Sequence, residues 1–454
     1  MVRKFSKVRS NNMFNKLKVY FLKLFNNATG SLAFVPLMIM LCFAILGFSI
    51  LSMEDYNLSD NVLYFINWAI TKDPGQASSI ITTLLAGLIS ITVFSFSMVM
   101  VVINQASTQF TPRVIHYITR NRENQFVLGF YIGTILYDII LLLNYTRKEQ
   151  EYIVPTLAFA IAIISGIISL LLFVRFIHNI SVSVQVNNII LLIYRTVKTR
   201  LIRVQKDAER ESPNEIEPIL KNNNWYVYNS PQSGYIQSIL SGAIKVAQHH
   251  DVIIRLDAPA GEYILEGNPL FYLNKQVDEA CADELSAFFE FDVITDVKEH
   301  SHYAFVQLTE IACKALSPGI NDPGTARMCI DYLTDTLLLR SKLPDQEYRK
   351  DKDGAVRIIL SHYSYSDIIK STFTPIRHYG HTDVQILKKL LSSLYKLALN
   401  DLNEKKLAYI YNEHAEAIME SAKHGLYNRA DRTNLNQTTN QLNALEGYFN
   451  LSAI

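Results

Sequence analysis

One carboxylate in this chain lies inside an apolar run: Asp138, in Gly133-Thr-Ile-Leu-Tyr-Asp-Ile-Ile140. A carboxylate among such neighbours is costly unless it is paired, protonated or wet, so Asp138 is the first residue placed to do chemistry. Arg175 and His178 are candidate partners, but they fall at the opposite depth of the next apolar segment, which argues against a pair. A hydrogen bond to Tyr131 or Tyr137 is the structural alternative.

A second pattern puts a polar residue at every seventh position between Pro74 and Pro112: Gln76, Thr83, Ser90, Ser97, Asn104 and Thr111. A polar seam through hydrocarbon faces neighbouring helices or water rather than lipid. Gly87 and Ala86 flank it and suit close packing, whereas tilted copies around an axis would line a pore with the same hydroxyls. Pro112 and Arg113 end the segment at the cytoplasmic membrane boundary.

A third group is the loop Ser317, Pro318, Asn321, Asp322, Pro323. Asp322 is a natural N-cap and Pro323 a natural first helical residue, which makes a rigid helix-helix corner. The functional alternative is a helix N-terminus that presents polar groups to an anion or a partner loop. His249, His250, His300 and His302 come in pairs too close in sequence to imply one metal. No zincin spacing, phosphate loop or serine elbow is present. No metal, no cofactor and no enzyme activity are therefore expected.

The elements that must carry these residues begin with four apolar segments, roughly Leu32 to Leu51, Ser79 to Val102, Phe126 to Leu143 and Ile153 to Val174. Each is near the ~20 residues that cross a bilayer. Basic residues crowd the N-terminus, the second loop (Arg113, Arg120, Arg122) and the segment after the fourth span, while the first loop is acidic. The positive-inside rule then puts both termini in the cytoplasm. Met13 to Phe25 interleaves basic and bulky apolar residues, as an interfacial helix does; a cytoplasmic extension of the first span fits equally. The second segment continues past the hydrocarbon, to Phe110. Beyond the fourth span an amphipathic connecting helix near the membrane leads to a hinge from Glu209 to Asn224.

The 454 residues carry a net charge of only +1, so no nucleic acid partner is indicated. Short β-branched and aromatic runs between Trp225 and Asn274, punctuated by Pro and Gly, read as a small barrel or sandwich. Ala258 to Leu270 resembles the turn-rich portion of lipoyl-like barrels, but no lysine sits at an exposed hairpin tip. Everything beyond Gln276 reads as helical. The expected organisation is a basic segment (1–30), a four-helix transmembrane domain (31–178), a connecting helix and hinge (179–224), a small β-domain (225–275) and a helical cytoplasmic domain (276–454). The fold class is thus membrane α-helical with a cytoplasmic α+β domain.

Several stretches carry a resemblance. Phe94-Ser-Phe-Ser97, Gln109-Phe-Thr-Pro-Arg113, Leu128-Gly-Phe-Tyr-Ile-Gly133 with Tyr137, and above all Ala315-Leu-Ser-Pro-Gly-Ile-Asn-Asp-Pro-Gly-Thr-Ala326 resemble the bacterial membrane-protein family labelled domain of unknown function 2254. That resemblance spans nearly the whole chain. It implies an inner-membrane protein with a cytoplasmic C-terminal domain, and it carries no activity with it. Two functions are compatible with the residues. One is a homo-oligomeric, channel-like protein in membrane lipid that passes ions along the second span. The other is a non-conducting sensor or scaffold whose soluble domain binds a partner or small ligand.

Overall fold

The computed structural model describes residues 33–55, 73–109, 122–145, 156–183, 185–208, 224–292, 301–402 and 405–454. Thr111, Pro112 and Arg113, the Met13 to Phe25 helix and the hinge apart from Asn224 lie outside these residues. The chain divides into two units, Met1–Gln185 and Val186–Ile454.

Among the described residues of the first unit, four helices are long and apolar enough to cross a membrane. They are α1 (Phe34–Asp55), α2 (Pro74–Gln109), α3 (Arg122–Tyr145) and α4 (Thr156–Ser183). The 36 residues of α2 span about 54 Å, well beyond a hydrocarbon core of about 30 Å. Helix α1 runs parallel to α3, because Pro36 lies against Gly129 and Phe43 against Gly133. A Cβ on Gly129 would sit 2.8 Å from the Pro36 backbone, so only glycine permits this approach. Helix α4 runs antiparallel to α3: Tyr137 donates to the Ala158 carbonyl at 2.9 Å, while Glu123, near the start of α3, pairs with Arg175 at 3.4 Å. Two apolar clusters hold the bundle. One gathers Ile81, Leu141, Phe159 and Ala162; the other gathers Val102, Val127, Tyr131, Phe176 and Ile180. The outer surface carries exposed Leu37, Phe48, Val93, Phe96, Leu143, Leu171 and Val174, the apolar coat a lipid-facing bundle needs.

The second unit opens with α5 (Val186–Ala208), separate from α4. Its apolar stripe, Ile189, Ile190, Ile193, Val197 and Leu201, is buried against α8 (Ser301–Ala315) and α9 (Pro323–Arg340). The apolar stripe of this amphipathic helix is core of the second unit. Tyr194 stacks on Tyr332 at 4.4 Å and donates to Asp335 at 2.7 Å, and Lys198 reaches the same carboxylate at 2.8 Å.

Between α5 and α8 come β1 (Tyr226–Asn229), β2 (Gly234–Ile239), α6 (Gly242–His249), β3 (Ile254–Leu256), β4 (Tyr263–Ile264), β5 (Pro269–Leu273), α7 (Glu279–Ser286) and β6 (Phe289–Asp292). After α9 follow β7 (Gln346–Lys350), β8 (Val356–Ser361), α10 (Tyr365–Gly380), α11 (Val384–Leu399), α12 (Ala408–Gly425) and α13 (Arg429–Asn443). The strands form two open sheets, β1-β5-β3-β8-β7 and β4-β2-β6, and neither closes into a barrel. Both contribute to one core, where Phe271 stacks on Tyr228 of its own sheet and on Phe289 of the other.

Here the structure corrects the sequence reading, which placed all strands before Gln276 and only helices after it. Strand β8 inserts beside β3 in parallel, with Ile254 opposite Ile358, and β7 extends that sheet. The physical reason is legible afterwards: Val356-Arg-Ile-Ile carries β-branched residues, and Asp353-Gly354, with Gly354 at φ +85°, turns the chain back from β7. The alternating charges of Gln346-Glu-Tyr-Arg-Lys350 disguise their strand.

Candidate functional site

On α2 the seam positions Gln76, Thr83, Ser90, Ser97 and Asn104 are all exposed. The buried line of the same helix is Ile81, Leu88, Ser95 and Val102, which also repeats every seventh residue. The two lines are two residues apart, about 200° round the helix. The seam therefore points away from the protomer's own bundle, and among the described residues it is not a packing surface within one chain. Thr83, Ser90 and Ser97 donate their hydroxyl protons to the carbonyls of Ser79, Ala86 and Val93 at 2.8–2.9 Å. What they present outward is oxygen lone pairs. Gly87, on the same face, has nothing within 4 Å of a Cβ added there.

Asp138 faces the other way, into the bundle, and is 0% exposed. Neither carboxylate oxygen has a hydrogen-bond partner among the described residues. Arg175 is engaged by Glu123 near the start of α3, roughly 22 Å along that helix from Asp138 at ~1.5 Å per residue, so depth does separate the two. Tyr137 spends its hydroxyl proton on Ala158. Tyr131 lies beside Ser95 without a hydrogen bond of normal geometry. The two tyrosines considered as partners thus leave Asp138 unbonded.

The loop between α8 and α9 is tied down by its own backbone. Ile320 and Asn321 both donate N–H to the Ser317 carbonyl, and Asp322 N–H donates to Ala315 at 2.8 Å. Ser317 Oγ donates to Lys314 at 2.6 Å. Asp322 caps α9 ahead of Pro323, accepting from Thr325 N at 3.1 Å and from Thr325 Oγ1 at 2.6 Å. The Thr325 hydroxyl and N–H hold its carboxyl below the usual carboxylate range. A carboxylate of the chain thus occupies the helix N-terminus that an anion would use. Asn321 holds a left-handed φ of +50°, and Pro318, Gly319, Ile320, Asn321 and Asp322 are exposed.

A family model described as "Predicted membrane protein (DUF2254)" matches residues 29–396. The chain belongs to this family. Its four apolar helices fit that description. Two similar proteins, described as uncharacterized, come from Mycobacterium bovis and Mycobacterium tuberculosis. Each is 23% identical to this DUF2254 protein over 382 residues, covering 79% of this chain and 70% of the relative. No solved structure matches. The matched region takes in the α2 seam, Asp138 and the α8–α9 loop; α12 and α13 lie beyond it.

Sequence reasoning missed other buried polar groups in this DUF2254 member. Ser95, Thr134, Ser165 and Ser169 line the inside of the membrane unit, and Gln307 is fully enclosed in α8 with both amide atoms unbonded among the described residues. Ser165-Gly166 and Ser169 in an otherwise apolar helix were the available signal. For Gln307 there was none. Among the described residues no group of three or more His, Cys, Asp or Glu is arranged to hold a metal ion.

Proposed function

We propose that this protein is a homo-oligomeric, channel-like membrane protein in which α2 of each copy faces a shared axis and conducts small ions. The observation that supports the reading is the outward placement of the α2 seam, with Thr83, Ser90, Ser97 and Asn104 opposite the buried line of the same helix. A strict seven-residue period keeps one face on a common axis when helices supercoil. Successive rings of hydroxyl oxygen and amide form a lining that replaces part of an ion's hydration shell. The basic flanks support a bacterial inner-membrane orientation with both termini and the second unit in the cytoplasm, where that unit would assemble or gate the oligomer. No enzymatic step is part of this reading.

Proteoliposomes loaded with an ion-sensitive dye test it. Wild type should dissipate an imposed cation or anion gradient, and Ser97→Leu and Asn104→Leu should slow that flux at least tenfold without changing subunit number. Vesicles that hold every gradient, with wild type and variants alike, overturn the reading.

The exposed α8–α9 corner favours a second reading, a non-conducting sensor or scaffold that docks a partner there. Ile320 is 46% exposed at its tip on a tightly bonded backbone. A stoichiometric partner lost on Ile320→Asp, from a protein that conducts nothing, would select it.

A further inference from the structure

Asp138 lies on α3 beside Tyr137, at the edge of one apolar cluster of the membrane unit. The layer that joins this cluster to the other runs along α3 from Tyr131, in the second cluster, to Leu141, in the first. Leu84 of α2 lies over Gly166 of α4, and Phe94 meets Phe173 with ring centres 5.9 Å apart, so these two helices keep step through the same layer. Buried polar residues on these helices, in this layer or beside it, include Thr134 and Asp138 of α3, Ser95 of α2, and Ser165 and Ser169 of α4.

Three of these hydroxyl protons are already spent. Thr134 donates to Phe130 at 2.9 Å, Ser165 to Ala162 at 3.0 Å and Ser169 to Ser165 at 2.9 Å. Each of these three hydroxyls is left with lone pairs only, whereas Ser95 Oγ has no hydrogen-bond partner among the described residues. A buried carboxylate that accepts no hydrogen bond among the described residues needs a positive charge supplied to it. Among the described residues no positive charge pairs with it. Helix α1 brings Cys42 as a thiol. Helix α2 is uncharged from Pro74 to Gln109. Helix α4 brings Arg175 and His178, both at the Glu123 end, and α3 itself brings Tyr131 and Tyr137.

We propose that Asp138 is the centre of a buried site for a small monovalent cation, a proton or Na+, with hydroxyl oxygens of the same layer as the secondary donors. All-oxygen donors suit a hard cation, and a single carboxylate neutralises one charge rather than two. The site is inside each protomer and turned away from the seam. It does not depend on whether copies of α2 form a conduit.

The test uses full-length protein in detergent, wild type and Asp138→Asn, melted across a pH series in choline chloride, KCl or NaCl. A cation bound only by the folded state stabilises it by mass action. Wild type in choline chloride should therefore lose up to about tenfold in its folded-to-unfolded ratio per pH unit as pH rises from the unfolded carboxyl's ~4 to the site's own midpoint, and lose no more above it. Asp138→Asn, neutral and nearly isosteric, should lack that component. NaCl restoring wild type where KCl and choline do not identifies Na+ as the ligand; a pH response without a sodium effect identifies the proton. Superimposable pH and salt responses of wild type and variant overturn the proposal.

If the variant does not fold, infrared spectra of wild type carrying isotope-labelled aspartate decide instead. A neutral-carboxyl band in choline chloride that is lost on adding NaCl or alkali supports the site. No such band at any pH, with no sodium response in the melt, overturns it.

Discussion

Two glycines in the membrane unit make a paired experiment on the α2 seam. At Gly129 an added Cβ would lie 2.8 Å from Pro36 Cα and 3.0 Å from Ile39 Cδ1. Carbon atoms rest at about 3.5–4.0 Å, so Gly129→Ala must push α1 back by close to 1 Å. Overpacking of this kind costs about 1–3 kcal/mol, and here it falls on the protomer itself. At Gly87 the same added atom meets nothing within 4 Å. Gly87→Val should leave the protomer unharmed, and helix propensity favours the change by a few tenths of a kcal/mol at most, roughly. If the outward face of α2 packs closely on another copy, the extra methyls fall at that contact. The same range of about 1–3 kcal/mol then weakens assembly roughly 5- to 140-fold, at ~1.4 kcal/mol per decade. The assay is energy transfer between labelled protomers in liposomes as protein is diluted into lipid, with a thermal melt of each variant alongside. Gly129→Ala should lower the melting temperature, whereas Gly87→Val should shift only the dilution curve. The reasoning fails if Gly87→Val leaves that curve where wild type has it, or if it lowers the melting temperature as much as Gly129→Ala does.

Two further outcomes concern the second unit. Burial holds His302 neutral down to about 4, against an opposing pull from Asp367, and its ring stacks on Tyr363 at 3.8 Å. The unfolded chain takes up that proton near pH ~6.5, so stability should fall as pH drops from there toward the folded value, with a slope of at most ~1.4 kcal/mol per pH unit. Acid titration of the melt should show this for wild type and a shallower slope for His302→Phe; burial lowers His414 in the same direction, and the carboxyls of Glu347, Asp251 and Asp322, held low, add their own loss toward the acid end. At the α8–α9 corner, Asp322→Ala removes the cap on Thr325 N and should cost about 1 kcal/mol of stability in denaturant melts, while Asp322→Asn keeps the acceptor and most of that stability.

What the sequence disclosed, and what it hid, follows from the range of each signal. The four apolar helices and the α9 start at Asp322-Pro323 are local patterns, and both were readable. The face on which the seam lies was not, because Ile81, Leu88, Ser95 and Val102 share its period and only neighbouring helices decide which line is buried. Helix α10 falls in the stretch read as helical, and it continues through Pro375. Strands β7 and β8 were hidden for a different reason: β8 finds its partner β3 about a hundred residues earlier in the chain, and no window of sequence contains both. The loneliness of Asp138 was half legible. An apolar context was visible, but the commitment of Tyr137 to Ala158 and of Arg175 to Glu123 was not.

The parallel β3–β8 pairing also governs when the sheet becomes complete. Synthesis delivers Ile254–Leu256 long before Val356–Ser361, and contacts of such separation form slowly. Until Ser361 has emerged, β3 exposes a strand edge of unpaired N–H and C=O groups, a template for pairing with another chain. A truncation after Asn274, at the end of the run of short strands, would preserve that nascent state permanently. Such a fragment should aggregate unless a peptide spanning Gln346–Ser361 is supplied to occupy the edge.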